Sequence, residues 1–346
     1  MESDLKYWAV LRQTGILYDN ILMNNIRDGL MFHTPWNVPI EWVTAKDSGI
    51  LLRNIIRSDR EGRTAGFWNR VYNIGGGAAA RQTGYEAFDD GFRLIGGSVR
   101  DFFEPNWNLP RNFHCFWFCD SDELEERFHF RTQGCEAFWK EYNKKHWIYR
   151  AVKLLPAKLL RRLIIEPLRR DTNAPAYWLE HNDTARIQAY FGGSDAFDAL
   201  PRRWEDMKLF CGSDSYDGVR AGRDCRKTDH GYDENKEDSE LSLADMRKAA
   251  MFRGGTCLSH EMKTGDLYGK LRWRCHAGHA FTAAPYTVLK AGHWCPVCCQ
   301  TPLEWNMDLL AKHSPFHAQV WKDSHGDEEC FRYFLKDGVS GMEERT

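Results

Sequence analysis

The chain has 346 residues, 11 cysteines and a formal net charge of -2, with 42% apolar and 14% aromatic residues. This apolar share fills a sizeable core and excludes wholesale disorder, while the near-neutral charge gives no global attraction to nucleic acid or to a membrane. No apolar run approaches the roughly 18 residues of a transmembrane helix, the start Met1-Glu2-Ser3-Asp4 carries no apolar leader core, and an odd cysteine count with several at metal-ligand spacing fits a reducing, cytoplasmic setting better than a disulfide framework.

In chain order, residues 7–18, YWAVLRQTGILY, read as a buried strand running into a loop at Gly15, because β-branched and aromatic residues are dense and helix signals weak. Residues 38–44, VPIEWVT, form a second expected strand. Asp47 is the expected cap of a helix through SGILLRNIIRS. RVYNIGGG (70–77) reads as a strand ended by three glycines. TGYEAFDDGFRLIG (83–96) reads as a helix with Thr83 as N-cap and Glu86 three residues on, a capping-box pattern.

From Cys135 to Arg170 the pattern is helical, broken near Pro156. Residues 140–170 hold ten Lys/Arg against two Glu, among apolar positions such as Trp147, Leu155, Leu159 and Leu163. A basic amphipathic stretch suits a membrane surface or an acidic partner. The plainer reading, preferred at this level, is a helix pair packed on its own domain with a solvated cationic face. Residues 212–240 are polar and charged and read as a linker between a lobe at 1–211 and a module at 241–346. There LSLADMRKAAMF is an expected helix capped by Ser242, and TPLEWNMDLLAKH another with Pro302 in its first turn.

Near the end, CHAGHAFTAAPYTVLKAGHWCPVC places Cys275, His279, Cys295 and Cys298 in the order C-x3-H-x15-C-x2-C. Thiolates and imidazole are the donors a tetrahedral zinc site needs, and C-x2-C sets two sulfurs on one tight turn. Four protein ligands leave no open position, so the expected zinc is structural rather than catalytic. Cys257 and Cys299 are alternative donors, although Cys299 directly follows Cys298 and would point away from the same centre. His276 and His293 are expected to be exposed.

The stretch from 244 to 299, with Gly254-Gly255, Cys257-Leu258-Ser259, Trp273 and the four ligands, resembles a treble-clef-like zinc-ribbon module of the form GGxCLS…KLxWxCxxGHxF…WCPxC. Such modules are common in nucleic-acid-associated proteins, so the resemblance implies nucleic acid as one class of partner.

Four earlier segments, YWAVLRQTGILYDN, PIEWVTAKDSGILL, WNRVYNIGGG and ARQTGYEAF, resemble in their order the C-terminal part of an NAD-dependent epimerase/dehydratase, an extended short-chain dehydrogenase/reductase. The resemblance covers about residues 5–100. It implies an α/β fold, with a partial Rossmann-like sheet end and a helical substrate lobe, followed by the small α+β zinc-ribbon module. It implies that Gln13, Thr14 and Gly15 line the nicotinamide end of an NAD(P) site, and that Arg81 meets a substrate anion. Family members hold NAD(P) on an N-terminal Rossmann domain and use a tyrosine and a lysine four positions apart. This chain is expected to begin after those parts, so no catalytic residue carries over. IGGGAAAR (74–81) lacks the G-x-G-x-x-G spacing of a dinucleotide loop. The leading expectation is therefore an epimerase/dehydratase-like oxidoreductase fragment, inactive alone, whose NAD(P) chemistry needs a complementary Rossmann polypeptide or self-association. The alternative is a non-enzymatic zinc-ribbon protein that docks a partner or nucleic acid.

Overall fold

Thr14 interrupts the first strand without ending it. β1 (Ala9–Gln13) and β2 (Gly15–Leu17) flank it, and the chain changes partner at that residue. β2 runs parallel to β3 (Pro39–Thr44), with Ile16 opposite Val43, while β1 runs parallel to β4 (Arg70–Ile74), with Val10 opposite Val71. β5 (Arg81–Thr83) closes antiparallel on β3. The break has a local cause. The Thr14 hydroxyl donates to the Glu41 carbonyl at 2.5 Å and its N–H to the Ile74 carbonyl at 3.3 Å, so one residue serves both ladders. Gly15 then lies under the Trp42 ring, where a Cβ would come within 2.8 Å of ring carbons. The expected loop at Gly15 is thus a partner switch within a continuing strand.

These elements belong to a computed structural model that describes residues 7–25, 29–111, 118, 120–209 and 230–298. The chain divides into two units, Met1–Cys225 and Arg226–Thr346, and the boundary falls within the polar stretch 212–240. The expected helix at 301–313 lies outside the described residues, as does most of that polar stretch.

In the first unit α1 (Ile21–Asn25) follows β2, and α2 (Ala45–Arg60) follows β3 directly. Its cap is Thr44, whose hydroxyl accepts from the Asp47 N–H at 3.0 Å. Asp47, expected as the cap, instead sits in the first turn and accepts a hydrogen bond from the Thr132 hydroxyl at 2.6 Å. Threonine preceding the alanine-lysine pair offers a cap three residues earlier, and the carboxylate is then well placed against the helix dipole. α3 (Gly84–Arg93) has the expected capping box, with Glu86 N–H to the Thr83 hydroxyl at 3.3 Å and Thr83 N–H to the Glu86 carboxylate at 3.0 Å.

The helices that follow are α4 (Val99–Phe102), α5 (Asp122–Phe128), α6 (Cys135–Lys145), α7 (Ile148–Val152), α8 (Ala157–Leu160) and α9 (Glu166–Leu168). A π-helical turn at Arg161–Ile165 joins the last two. The expected break at Pro156 separates α7 from α8, because Pro156 is extended (ψ 134°) and serves as the α8 N-cap. α10 (Pro175–Glu180), α11 (Thr184–Phe191) and α12 (Ser194–Asp198) complete the described helices of this unit. One core lies under α2 and α5, around Leu51, Phe67, Tyr72 and Phe128. A second gathers Phe32, Trp36, Phe92, Phe102 and Phe103, with Trp36 and Phe92 edge to face on Phe103 and Phe102 stacked on Phe92, and a third gathers Leu17, Ile21, Phe138, Trp139 and Tyr142.

In the second unit α13 (Leu243–Phe252) is capped by Ser242 as expected, with Asp245 returning the bond. It leads into an antiparallel sheet of β6 (Thr256–Cys257), β7 (Leu271–Arg274) and β8 (Ala280–Ala283), then α14 (Pro285–Leu289). The protein is thus a mixed α/β chain with small sheets and a Cys/His cluster near its C-terminal end.

Candidate metal centre and apolar cavity

The β7–β8 hairpin sets the first half of the cluster. Alternation along LRWR buries Leu271 and Trp273 and exposes Arg272 and Arg274, and the Trp273 indole donates to the Ala283 carbonyl at 3.0 Å across the hairpin. The turn that follows is closed by Cys275 N–H to the His279 carbonyl and Gly278 N–H to the Cys275 carbonyl, both 3.0 Å. Gly278 takes φ +84°, a conformation that β-carbon sterics disfavour in other residues. This turn brings Cys275 and His279 to one side. Cys295-Pro296-Val297-Cys298 supplies the other half, with Cys298 N–H donating to the Cys295 sulfur at 3.5 Å. Trp294 packs against both Trp273 and Phe281 and anchors that segment to the hairpin. Gly255 must lack a side chain, since a Cβ there would lie 2.3 Å from the Arg274 carbonyl and 2.7 Å from the Trp294 ring.

The donor atoms of Cys275, His279, Cys295 and Cys298 lie within 4.8 Å of one another. His279 Nδ1 is 3.5 Å from the Cys275 sulfur, 3.5 Å from Cys298 and 3.7 Å from Cys295, and the Cys275 and Cys298 sulfurs are 3.7 Å apart. Zinc bonds of about 2.3 Å to sulfur and 2.0–2.1 Å to nitrogen set tetrahedral edges of about 3.8 Å between sulfurs and about 3.5–3.6 Å between sulfur and nitrogen. The observed edges fit that tetrahedron, so the four residues can hold a metal ion and suit zinc. The thiols are unequal. Burial, reinforced by Cys295 and Cys275, pushes the Cys298 thiol up to about 12. Burial also opposes ionisation of Cys275, but the backbone amides of His279 and Ala277 and the neighbouring thiols outweigh it and hold that thiol below its ordinary value. Cys257 is buried in β6 and lies outside the cluster. Cys299 is beyond the described residues, and His276 and His293 are exposed as expected.

In the first unit Gln13, Thr14 and Gly15 lie together on the wall of a cavity of about 760 Å³. Its lining is dominated by apolar side chains, among them Leu17, Ile21, Met31, Trp42, Phe88, Phe92, Phe102 and Trp139, with Thr34 and Gln82 adding to the few polar groups. Three of the lining residues carry a buried polar atom with no protein partner among the described residues: the indole N–H groups of Trp42 and Trp139 and the Gln82 amide oxygen.

Arg81 does not line this cavity. It is 7% exposed, and its Nε donates to the Glu41 carboxylate at 3.3 Å while Nη2 donates to the Phe118 carbonyl at 3.2 Å. Glu41, fully buried, also accepts from Gly77 N–H at 2.9 Å, Phe118 N–H at 3.1 Å and the Ser121 hydroxyl at 2.8 Å. The glycine triplet 75–77 is therefore wrapped around a protein carboxylate. A Cβ on Gly75 would fall 2.1 Å from Glu41 Oε1, and Gly77 takes φ +75°. This hub is a feature the pattern reading missed. Its signal in the sequence is the lone charge in PIEWV, a carboxylate amid residues that otherwise read as buried strand.

Compared with known protein families, with curated proteins and with solved structures, the chain matches none.

Proposed function

We propose that the first unit is the substrate-side lobe of an epimerase/dehydratase-like oxidoreductase and that the second unit is a zinc-ribbon module whose zinc is structural. The observation that carries the first part is the placement of Gln13, Thr14 and Gly15, the expected nicotinamide-side residues, on the wall of the largely apolar cavity. A complementary Rossmann half, from another polypeptide or from self-association, would complete the NAD(P) site.

In the assembled site this chain would orient the alcohol or sugar carbon of the ligand and exclude water from it. NAD(P), when held by the complementary half, would exchange a hydride with that carbon. The acid/base group that moves the hydroxyl proton is assigned to that half too, because among the described residues the cavity wall carries no titratable group apart from the phenol of Tyr149. At the metal centre four ligands close the coordination sphere, so the metal organises the hairpin and Cys295–Cys298 rather than activating water.

The test is calorimetric titration of the zinc-loaded chain with NAD and NADP, alone and with a separately produced epimerase-type Rossmann half. The expected result is no binding tighter than about 1 μM, near -8 kcal/mol, by the chain alone, and tighter binding by the pair than by either part. A micromolar or better site in the chain alone, or no gain on mixing, overturns the reading. The second reading, docking of nucleic acid by the zinc module, is favoured by the exposed Arg272 and Arg274 on alternate positions of β7. It predicts salt-dependent binding of single- or double-stranded nucleic acid that Arg272→Ala plus Arg274→Ala weakens.

A further inference from the structure

The segment from Trp147 to Arg170 is apolar on two faces. Its inner face supplies Tyr149, Val152, Ile164 and Ile165 to the cavity wall. Its outer face exposes Trp147 (68%), Ile148, Leu154 (86%), Leu155, Leu159 and Leu163 (63%). A helix that only covers its own core needs one apolar stripe, and isolated exposed leucines are ordinary. Six large apolar side chains exposed within residues 147–163 form a patch of the kind that marks an interaction surface.

The charges around the patch choose the partner. Lys144, Lys153, Lys158, Arg162 and Arg170 are exposed and stand in no ion pair among the described residues. Glu166 is engaged by Arg161 and Arg169, and Glu104 by Arg161, while Glu141 on α6 is exposed. Lys158 and Arg162 are four residues apart, as are Leu159 and Leu163, so a cationic stripe runs beside an apolar one. Long cationic side chains beside exposed leucines and a tryptophan suit the boundary between acyl chains and anionic headgroups. A second copy of this face would meet it with like charge. Among the described residues no helix is long and apolar enough to cross a membrane, so the segment would lie on a surface.

We propose that α7 to α9 form an interfacial anchor that seats the first unit on an anionic lipid bilayer and admits the apolar chain of a lipid to the cavity behind it. This uses the cavity as the ligand site, one part of the function proposed above, and none of its redox chemistry. Nucleotide titration and vesicle binding can therefore fail separately.

The experiment uses the zinc-loaded full chain with vesicles of phosphatidylcholine alone and of phosphatidylcholine with phosphatidylglycerol, the latter also carrying brominated acyl chains. The expected partition onto anionic vesicles exceeds that onto neutral ones by at least about tenfold at low salt, and Lys158→Ala plus Arg162→Ala lowers it by about thirtyfold, from the usual contribution of two basic residues near an anionic surface. Leu154→Ser plus Leu163→Ser lowers it comparably while thermal melting stays unchanged, because both side chains are exposed. Bromine quenching has two expected components, one lost in Trp147→Phe on the outer face and one lost in Trp139→Phe on the cavity wall. Equal partition onto both vesicle types, or partition that neither double variant reduces, overturns the anchor. Anionic binding without the Trp139 component overturns the admission of a lipid chain.

Discussion

Glu41 and Arg253 show how single buried charges organise the two units. Glu41 bonds to Gly77, Arg81, Phe118 and Ser121, and so ties β3 to the glycine turn, to β5 and to the start of α5. Glu41→Ala leaves the buried Arg81 without that carboxylate and strands the Gly77 N–H. A loss of about 3–5 kcal/mol is expected, the usual result of breaking a buried ion pair. Denaturant unfolding of the full chain, followed by hydrogen exchange at β3 and β5, measures it; a loss under about 1 kcal/mol would show that the hub is dispensable. Arg253 is fully buried in the second unit, and burial draws its pKa down to about 10, so it remains a cation at neutral pH. It donates to the carbonyls of Ala249 (2.8 Å), His230 (3.2 Å) and Val288 (3.2 Å), joining α13 to α14. Arg253→Met keeps the apolar stem and removes the donors. The expected cost is about 2–3 kcal/mol, read as a lower melting temperature of the second unit alone. Both residues are single letters in runs that read as strand or helix end. Their identity was visible, but most of their partners were not, because apart from Ala249 these come from segments 23 to 80 positions away.

At the scale of the element, the β7–β8 hairpin and Cys295–Cys298 bring the four candidate metal ligands together. Metal removal, or Cys295→Ser plus Cys298→Ser, should unfold the second unit, because structural zinc contributes directly to folding. Elemental analysis is expected to give one zinc per chain, lost in the double variant; full retention would sink the ligand assignment. The pH dependence has a definite sign. Zinc must displace the proton that the raised Cys298 thiol holds at neutral pH. Affinity therefore rises with pH. Competition with a chromogenic chelator should show at least about a hundredfold tighter binding at pH 7.5 than at pH 5.5, with protons released on binding. The capping boxes at Thr83 and Ser242 belong to this scale too. They were legible in the sequence because donor and acceptor sit three residues apart. The cap of α2 was misassigned to Asp47, since Thr44 and Asp47 both carry capping side chains and only the helix start decides between them.

For the whole molecule, the division at 225/226 predicts two thermal transitions. A chelator should move one and leave the other in place; a single transition that shifts entirely with zinc would contradict independent units.

The sequence by itself determined the metal cluster, the strands at 39–44 and 70–74, and the caps at Thr83 and Ser242. In each case the interacting groups are near neighbours, or the burial pattern repeats within one element. Only the tertiary structure decided that the strand through Thr14 switches partners, that the glycine triplet encloses Glu41, that Arg81 pairs with that carboxylate, and that Gln13, Thr14 and Gly15 share a cavity with Trp139 and Ile165. It also decided that the basic stretch expected to pack with a plainly solvated face keeps six large apolar side chains exposed. A cavity or an ion pair is set by which distant surfaces meet. Periodicity along the chain says which side of an element is apolar, but not whether a second segment arrives to cover it.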